Sequence, residues 1–352
     1  MSRPPKLIAQ ARSLPFEEWP PADRAAWEAA CRPAQRLKRG GAASHLKEIT
    51  RRDLVRRYGY FLDYLRRVQV LPDAVAAAGY VTPERVEPFV EELRNRVGSV
   101  TLYGTVYKVR RMAQLLAPEQ DFTWLCEIEK DLALVMRPKS KADRLVYANV
   151  LVEAGMTLMV EAEAATHRSA LARARQYRNG LMVAMLALHP LRLKNFSALE
   201  IGSTFGRVNG AWWIILSAKD TKENRPDERQ IVRFLVRWIE RYLDIHRPIL
   251  ARNRQVTALW LSSNDGGAMT YSAVERAIDS TTLSTVGIKV CPHLFRASAV
   301  SMAAVYQGDD PHLGSALLHH TDPKVREKHY NCATTLSAAR KFAALISTLQ
   351  IA

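Results

Sequence analysis

A polar, basic stretch carrying a proline, Arg137-Pro138-Lys139-Ser140-Lys141-Ala142-Asp143, cuts this chain where no helix or strand would run on. Proline lacks the amide hydrogen that a continuing helix needs, and the lysines and serine around it have nothing apolar to bury. With 352 residues the chain is long enough for two domains of ordinary size, and this break sets their border. Upstream of it, Leu54, Tyr58, Phe61, Leu62 and Leu65 recur at i, i+4, i+7, i+8 and i+11, the single apolar stripe of a helix that begins near Lys47. Arg52, Arg56 and Arg66 fall on its other side. A second helix is predicted from about Val100 to Leu116, and it mixes aromatic and basic residues: Tyr103, Tyr107, Lys108, Arg110 and Arg111. The first forty residues, rich in Pro, Ala and Arg, are expected to wrap the surface or stay loose.

Downstream, Val146 to Leu188 reads as two or more alanine-rich helices. Ala211-Trp212-Trp213-Ile214-Ile215-Leu216 is short, aromatic and β-branched, hence a strand. After the polar segment Lys219–Glu228, Gln230-Ile231-Val232 is the expected returning strand, and the chain is then mostly helical again. No internal repeat is visible. The expected fold class is mainly α with a small antiparallel β-sheet. Its parts are an N-terminal extension (1–45), a helical domain (46–136), a linker (137–145), a mixed α/β domain (146–334) and a C-terminal helix (335–352).

The net charge of +16 calls for a polyanionic partner. Residues 1–150 hold 26 Lys and Arg against 18 Asp and Glu, and residues 151–352 hold 25 against 17. Both parts are thus equally basic, as suits a protein that grips a long polyanion with two domains. Cys31, Cys126, Cys291 and Cys332 form no CxxC pair, which argues against a zinc site or a disulfide framework and fits a reducing compartment. The N-terminus lacks an apolar core of signal-peptide type, and the longest apolar run, Leu181–Leu188, is too short to span a bilayer. The expected location is cytoplasmic and nucleoid-associated, with no membrane partner.

Four segments of the second part set polar residues in apolar surroundings. Arg192 follows directly on a buried-looking helix in Leu188-His189-Pro190-Leu191-Arg192-Leu193. Lys219-Asp220-Thr221-Lys222 lies at the tip between the proposed strands. In Pro292-His293-Leu294-Phe295-Arg296 the histidine and arginine stand three apart and share a helical face. Leu317-Leu318-His319-His320-Thr321-Asp322-Pro323 is followed by Lys328-His329-Tyr330. Singly, each is an ordinary feature of a surface or a core.

In this order, behind a basic helical domain, the set resembles the tyrosine recombinase (phage integrase) family, from roughly Lys47 to the C-terminus. That family's signature is arginine, lysine, His-x-x-Arg, His or Trp, then tyrosine. The resemblance implies that Arg192 and Arg296 bind the phosphate, that Tyr330 is the nucleophile, and that His293 and His320 are the two histidines. The lysine is Lys222, with Lys219 as its rival, and His319 is the alternative to His320. The helical domain becomes a core-binding domain that meets DNA through Arg52, Arg56, Arg66, Tyr107, Lys108, Arg110 and Arg111. Double-stranded DNA with specific recombination sites is the implied partner, in a homo-tetramer with room for accessory DNA-bending proteins. Strands are cleaved and rejoined through a covalent 3′-phosphotyrosyl intermediate and a Holliday junction, with no cofactor and no metal. In this family C-terminal segments commonly dock onto a neighbouring subunit, and the terminal stripe Ala338, Phe342, Leu345, Ile346 and Leu349 is a candidate for that.

Elementary chemistry supports these roles. Attack by tyrosine on a phosphodiester adds negative charge to the non-bridging oxygens, which two planar, permanently charged guanidinium groups can clamp. A free tyrosine has a pKa of about 10, so about one in a thousand is ionised near neutral pH. It must lose its proton as it attacks, and a histidine can accept it. A lysine on a mobile hairpin can protonate the departing 5′-oxygen. Three positions depart from the family pattern. Asn195 stands where an acidic residue is usual, His319 stands where glycine commonly precedes the second histidine, and the lysine hairpin is longer and more polar. The alternatives are a type IB topoisomerase-like enzyme, which shares the chemistry, and a catalytically silent DNA-binding or architectural protein.

Overall fold

The structure, a computed structural model, describes residues 12–306 except 37, 38, 70, 72–74, 139–141, 222 and 223. The chain divides into two compact units, Met1–Lys139 and Ser140–Ala352.

Among its described residues the first unit has the α-helices α1 (Pro21–Cys31), α2 (Glu48–Arg67), α3 (Pro83–Arg94), α4 (Ser99–Leu116) and α5 (Thr123–Leu134). Proline opens both α1 and α3, where its missing amide hydrogen costs nothing. The stripe read from the sequence is the buried face of α2, with Leu54, Tyr58, Phe61, Leu62 and Leu65 all enclosed. It packs with Val106, Val109 and Met112 of α4 and with Phe89 of α3 in one core. Each such side chain contributes roughly 1.5–3 kcal/mol by leaving water.

Within the first forty residues, expected from their composition to wrap the surface or stay loose, residues 12–31 are packed into the domain. Leu14, Trp19 and Trp27 belong to the core, and the Trp19 ring meets Tyr58 edge-on with centroids 5.1 Å apart. Asp23 is fully buried, where it accepts hydrogen bonds from the Tyr58 hydroxyl and the Ala78 amide, each 2.8 Å long. Proline and alanine dominate the count in this segment, but a few tryptophans decide its burial.

The second unit surrounds α7 (Ala170–Leu188), in which every residue from Gly180 to Ala187 is buried. Ser169 caps it by accepting from the Ala172 amide at 3.2 Å. Helix α6 (Ala148–Ala164) crosses α7 where Gly155 and Gly180 face each other. A Cβ on Gly155 would lie 2.6 Å from the Gly180 carbonyl oxygen, so the two backbones approach only because both residues are glycine. A short α8 (Leu193–Ser197) leads into an antiparallel sheet of β1 (Phe205–Val208), β2 (Ala211–Leu216) and β3 (Asp227–Gln230), in that order. Then come α9 (Arg233–Arg241), a π-turn (Tyr242–His246), α10 (Arg247–Ala251), α11 (Tyr271–Val286) and α12 (Pro292–Tyr306).

The sheet differs from expectation at both edges. Asn209-Gly210, with φ of 49° and 81°, closes a tight hairpin that adds β1 ahead of β2. The returning strand is Asp227–Gln230, and Val232 already caps α9. Asp-Glu-Arg-Gln carries no apolar alternation, so its pairing with β2 left no mark in the hydrophobic pattern.

Candidate active site and nucleic-acid face

Arg192 sits at the turn between α7 and α8, with backbone angles of φ −67° and ψ 137°, and its carbonyl accepts from Asn195 and Phe196 to start α8. The preceding turn is tight. His189 ends α7 by donating its amide to Met185, and the Leu191 amide returns to the His189 carbonyl around Pro190. Arg296 comes to this turn from α12, which packs on α7. It is buried, and its Nη1 donates to the Pro190 carbonyl at 2.6 Å. Two arginines 104 positions apart are thereby brought to one turn, because a guanidinium buried in an apolar wall must find an acceptor.

His293 lies at the start of α12 and is exposed, while Arg296 three residues on is inside. Lys219 is exposed within the short turn Ala218–Asp220 that follows β2. Asp220 beside it is held below the usual carboxylate range by the Ser217 hydroxyl, with Lys219 and Lys194 adding their charge. Lys194 of α8 and Lys219 therefore bear on the same carboxylate. Lys222, His319, His320 and Tyr330 lie outside the described residues.

Several groups here went unread in the sequence. His189 is buried, and its Nε2 has no hydrogen-bond partner among the described residues. Burial pushes its pKa down to about 4, and Arg229 lowers it further against the opposing pull of Asp227. Asp227 and Arg229, two apart on β3 and so on one face, form a two-pronged ion pair at 2.7 and 2.9 Å. A buried histidine gives no periodic signal, and an Asp-x-Arg pair becomes visible only once the segment is known to be a strand. Among the described residues no cluster of three His, Cys, Asp or Glu side chains could hold a metal ion. None of the described helices is long and apolar enough to cross a membrane.

The first unit holds the basic and aromatic residues singled out for DNA. Arg52 is exposed and pairs with Glu48 at 2.9 Å. Arg56 is exposed, donates to the Tyr60 hydroxyl at 3.3 Å and lies over that ring. Lys108 of α4 meets Asp53 of α2 at 2.5 Å, and Arg57 reaches the Thr105 hydroxyl at 3.0 Å, so α2 and α4 form one mixed face. Tyr107 is exposed, stacks on Tyr103 and carries Arg110 over its ring. Arg66 and Arg110 are held more firmly. Arg66 joins Glu18 and Asp63, and Arg110 grips Glu129 of α5 with two hydrogen bonds at 2.6 and 3.0 Å while only 14% exposed. Arg111 is half-buried and reaches Gln114 at 3.5 Å.

By sequence the chain matches no family model and no curated protein. Its structure resembles that of the XerH site-specific recombinase bound to its difH substrate in a pre-cleavage complex. The TM-score is 0.51 at 15% identity, covering 79% of this chain and 74% of the other. The XerA recombinase aligns over 85% of this chain and 94% of its own, with 16% identity and a TM-score of 0.38. A mainly helical chain with a small three-stranded antiparallel sheet, matching XerH over most of both lengths, has the tyrosine recombinase fold.

Proposed function

We propose that this protein is a site-specific DNA recombinase of the tyrosine class. The observation that carries the reading is the convergence of Arg192 and Arg296 on the Pro190 turn. In this reading the two guanidinium groups clamp the non-bridging oxygens of one phosphodiester. Arg296 is oriented beforehand by its bond to the Pro190 carbonyl, so little reorganisation is needed as charge develops. Tyr330 attacks the phosphorus and gives its proton to a histidine, His293 or His320 (with His319 as the alternative). The 5′-oxygen leaves with a proton from Lys222 or Lys219, and the phosphotyrosyl bond conserves the energy needed to rejoin the strand. The face of α2 and α4, with Arg52, Arg56, Tyr107, Lys108 and Arg111, lies along the DNA backbone. XerH is a DNA-bound complex, and the same partner fits this chain's charge of +16. Synapsis by four subunits and passage through a Holliday junction complete the reading.

The test is covalent trapping on nicked duplexes cut from the DNA flanking the protein's own gene, with EDTA present. The expected result is a protein–DNA adduct on a denaturing gel that disappears in Tyr330→Phe, while duplex binding is retained. Tight binding without an adduct would identify a DNA-binding protein lacking strand-transfer chemistry. An adduct that persists in Tyr330→Phe would overturn the nucleophile.

A further inference from the structure

At the end of α7, three residues before Arg192, stands a residue for which the phosphate chemistry has no use. His189 is 5% exposed, so it can reach neither solvent nor DNA, and its Nε2 is sealed in without a partner among the described residues. Burying that nitrogen unpaired costs free energy, which the flat ring offsets by what it packs against. The ring belongs to the residue that ends α7, and the tight Leu191-to-His189 bond folds the chain back over it, with Pro190 between. The ring thus belongs to the first residue of the turn that presents Arg192 and receives Arg296.

We propose that His189 is a positioning residue: its buried ring, at the first residue of the Pro190 turn, seats that turn so that the Pro190 carbonyl holds the Arg296 guanidinium. The proposal rests on the recombinase reading for its effect on rate, but its geometry can be tested without catalysis. Removing the ring lets the turn shift and lengthens the 2.6 Å bond, so the guanidinium loses the acceptor that the turn offers it. DNA affinity, set by phosphate contacts spread over a long surface, is then little changed while the chemical step slows.

The experiment compares wild type, His189→Ala and His189→Phe in the full chain, with His189→Leu replacing the alanine variant if that one does not fold. Arginine Nη resonances are recorded on 15N-labelled protein, Arg296 being assigned by the signals that Arg296→Lys removes. Adduct formation and duplex affinity are measured beside them. For His189→Ala the expected result is a shifted, less restricted Arg296 signal and an adduct rate reduced 10- to 100-fold, with Kd for the duplex within two-fold of wild type. His189→Phe, which restores a flat ring, recovers the restricted signal and most of the rate. In an Arg296→Ala background, His189→Ala has no further effect on rate, because the group it positions is gone. An Arg296 signal unchanged by His189→Ala, or rate losses that simply add, would overturn the proposal. If the wild type forms no adduct with any duplex, the recombinase reading fails, and the Arg296 resonances still decide whether His189 positions that side chain.

Discussion

In the first unit Arg66 reaches Glu18 and Asp63, Arg67 reaches Asp63 and Glu92, and Arg110 grips Glu129. In the second, Arg178 donates to the Leu261 carbonyl at 2.5 Å, Arg247 to the Ala258 carbonyl at 2.7 Å, and Arg252 to the Ser263 and Asn264 carbonyls at 2.8 Å each. The tendency has exceptions on both sides: Arg51 of the first unit reaches the Ala43 and Ser44 carbonyls and Arg85 the Gly79 carbonyl, while in the second Arg207, Arg229 and Arg241 pair with Glu240, Asp227 and Glu163. The difference is nonetheless physical. A carboxylate cancels the charge it binds, whereas a carbonyl satisfies the hydrogen bonds and leaves the charge in place. Helices cross-tied by ion pairs are stable but locally neutral. Loops stapled by arginine to the main chain keep their positive charge and the field that goes with it.

The largest effect expected from this contrast is on chemistry. Arg296 also makes a main-chain bond, to Pro190, and its loss should remove preorganised stabilisation of the phosphate. Arg296→Ala is expected to slow adduct formation by a factor of about 10²–10³, with thermal stability changed much less. Single-turnover adduct kinetics at saturating duplex would show it, and a rate within a few-fold of wild type would remove Arg296 from the chemistry.

Next in size is the pair between Arg110 and Glu129, whose side chains are 14% and 9% exposed. Glu129→Gln strands a nearly buried cation and should destabilise the first unit by about 3 kcal/mol in denaturant unfolding. Replacing both partners with methionine should restore most of that loss, because a buried ion pair and an apolar pair of similar volume are nearly equivalent. Arg178→Met has no corresponding rescue, since its Leu261 partner is main chain and stays unsatisfied. An Arg178→Met variant as stable as the rescued double variant at Arg110 and Glu129 would break the comparison.

Acid should separate the units too. His189 titrates in the fold at about 4 against 6.5 in the unfolded chain, so between those values the unfolded state binds more protons and stability falls as pH falls. By pH 5 this single group removes about 2 kcal/mol from the second unit. His246, also lowered by burial despite its 2.7 Å contact with Glu163, adds loss in the same direction. In the first unit burial raises the pKa of Asp23, which works the other way: its penalty appears as pH rises and is relieved in acid. Calorimetry from pH 7 to 5 should therefore show the second unit's transition moving down well ahead of the first, and a parallel shift would count against the burial of His189. His189→Phe should flatten most of the second unit's dependence.

How much of this could be read from the residues follows from what each signal depends on. The α2 stripe and the start of α4 were legible because helical period and burial coincide at Leu54, Tyr58, Phe61, Leu62 and Leu65. Strand β3 was placed three residues late because Asp227–Gln230 is polar throughout and is held by pairing with β2. The same polar sequence hid the Asp227–Arg229 pair, and with it the surroundings of His189. Arg192 and Arg296 were singled out by a family pattern of spaced residues. That Arg296 reaches the Pro190 carbonyl, two residues before Arg192, is a tertiary fact that no local pattern carries. Trp19 and Trp27 were overlooked because the composition of the first forty residues spoke for a loose segment.

The smallest effect separates residues that are alike in sequence. Arg52 and Arg110 were both marked for DNA, yet Arg52 has 78% of its side chain exposed and shares only an i,i+4 pair with Glu48, whereas Arg110 is nearly enclosed on Glu129. An exposed pair of that kind contributes within about 0.5 kcal/mol to stability, so Arg52→Ala should leave unfolding almost unchanged. If Arg52 meets a phosphate, its loss should weaken binding uniformly across sequences and reduce the slope of log Kd against log salt by about one. Arg110→Ala should do the reverse, lowering stability while keeping the salt slope, because a guanidinium already neutralised by Glu129 releases no counterion from DNA. Salt titrations of both variants on one duplex, read beside their melting curves, decide between a cation that holds DNA and one that holds the fold. Loss of slope in Arg110→Ala would mean that the Glu129 pair opens on binding, and the line between neutralised and available charge would then have to be redrawn inside the first unit.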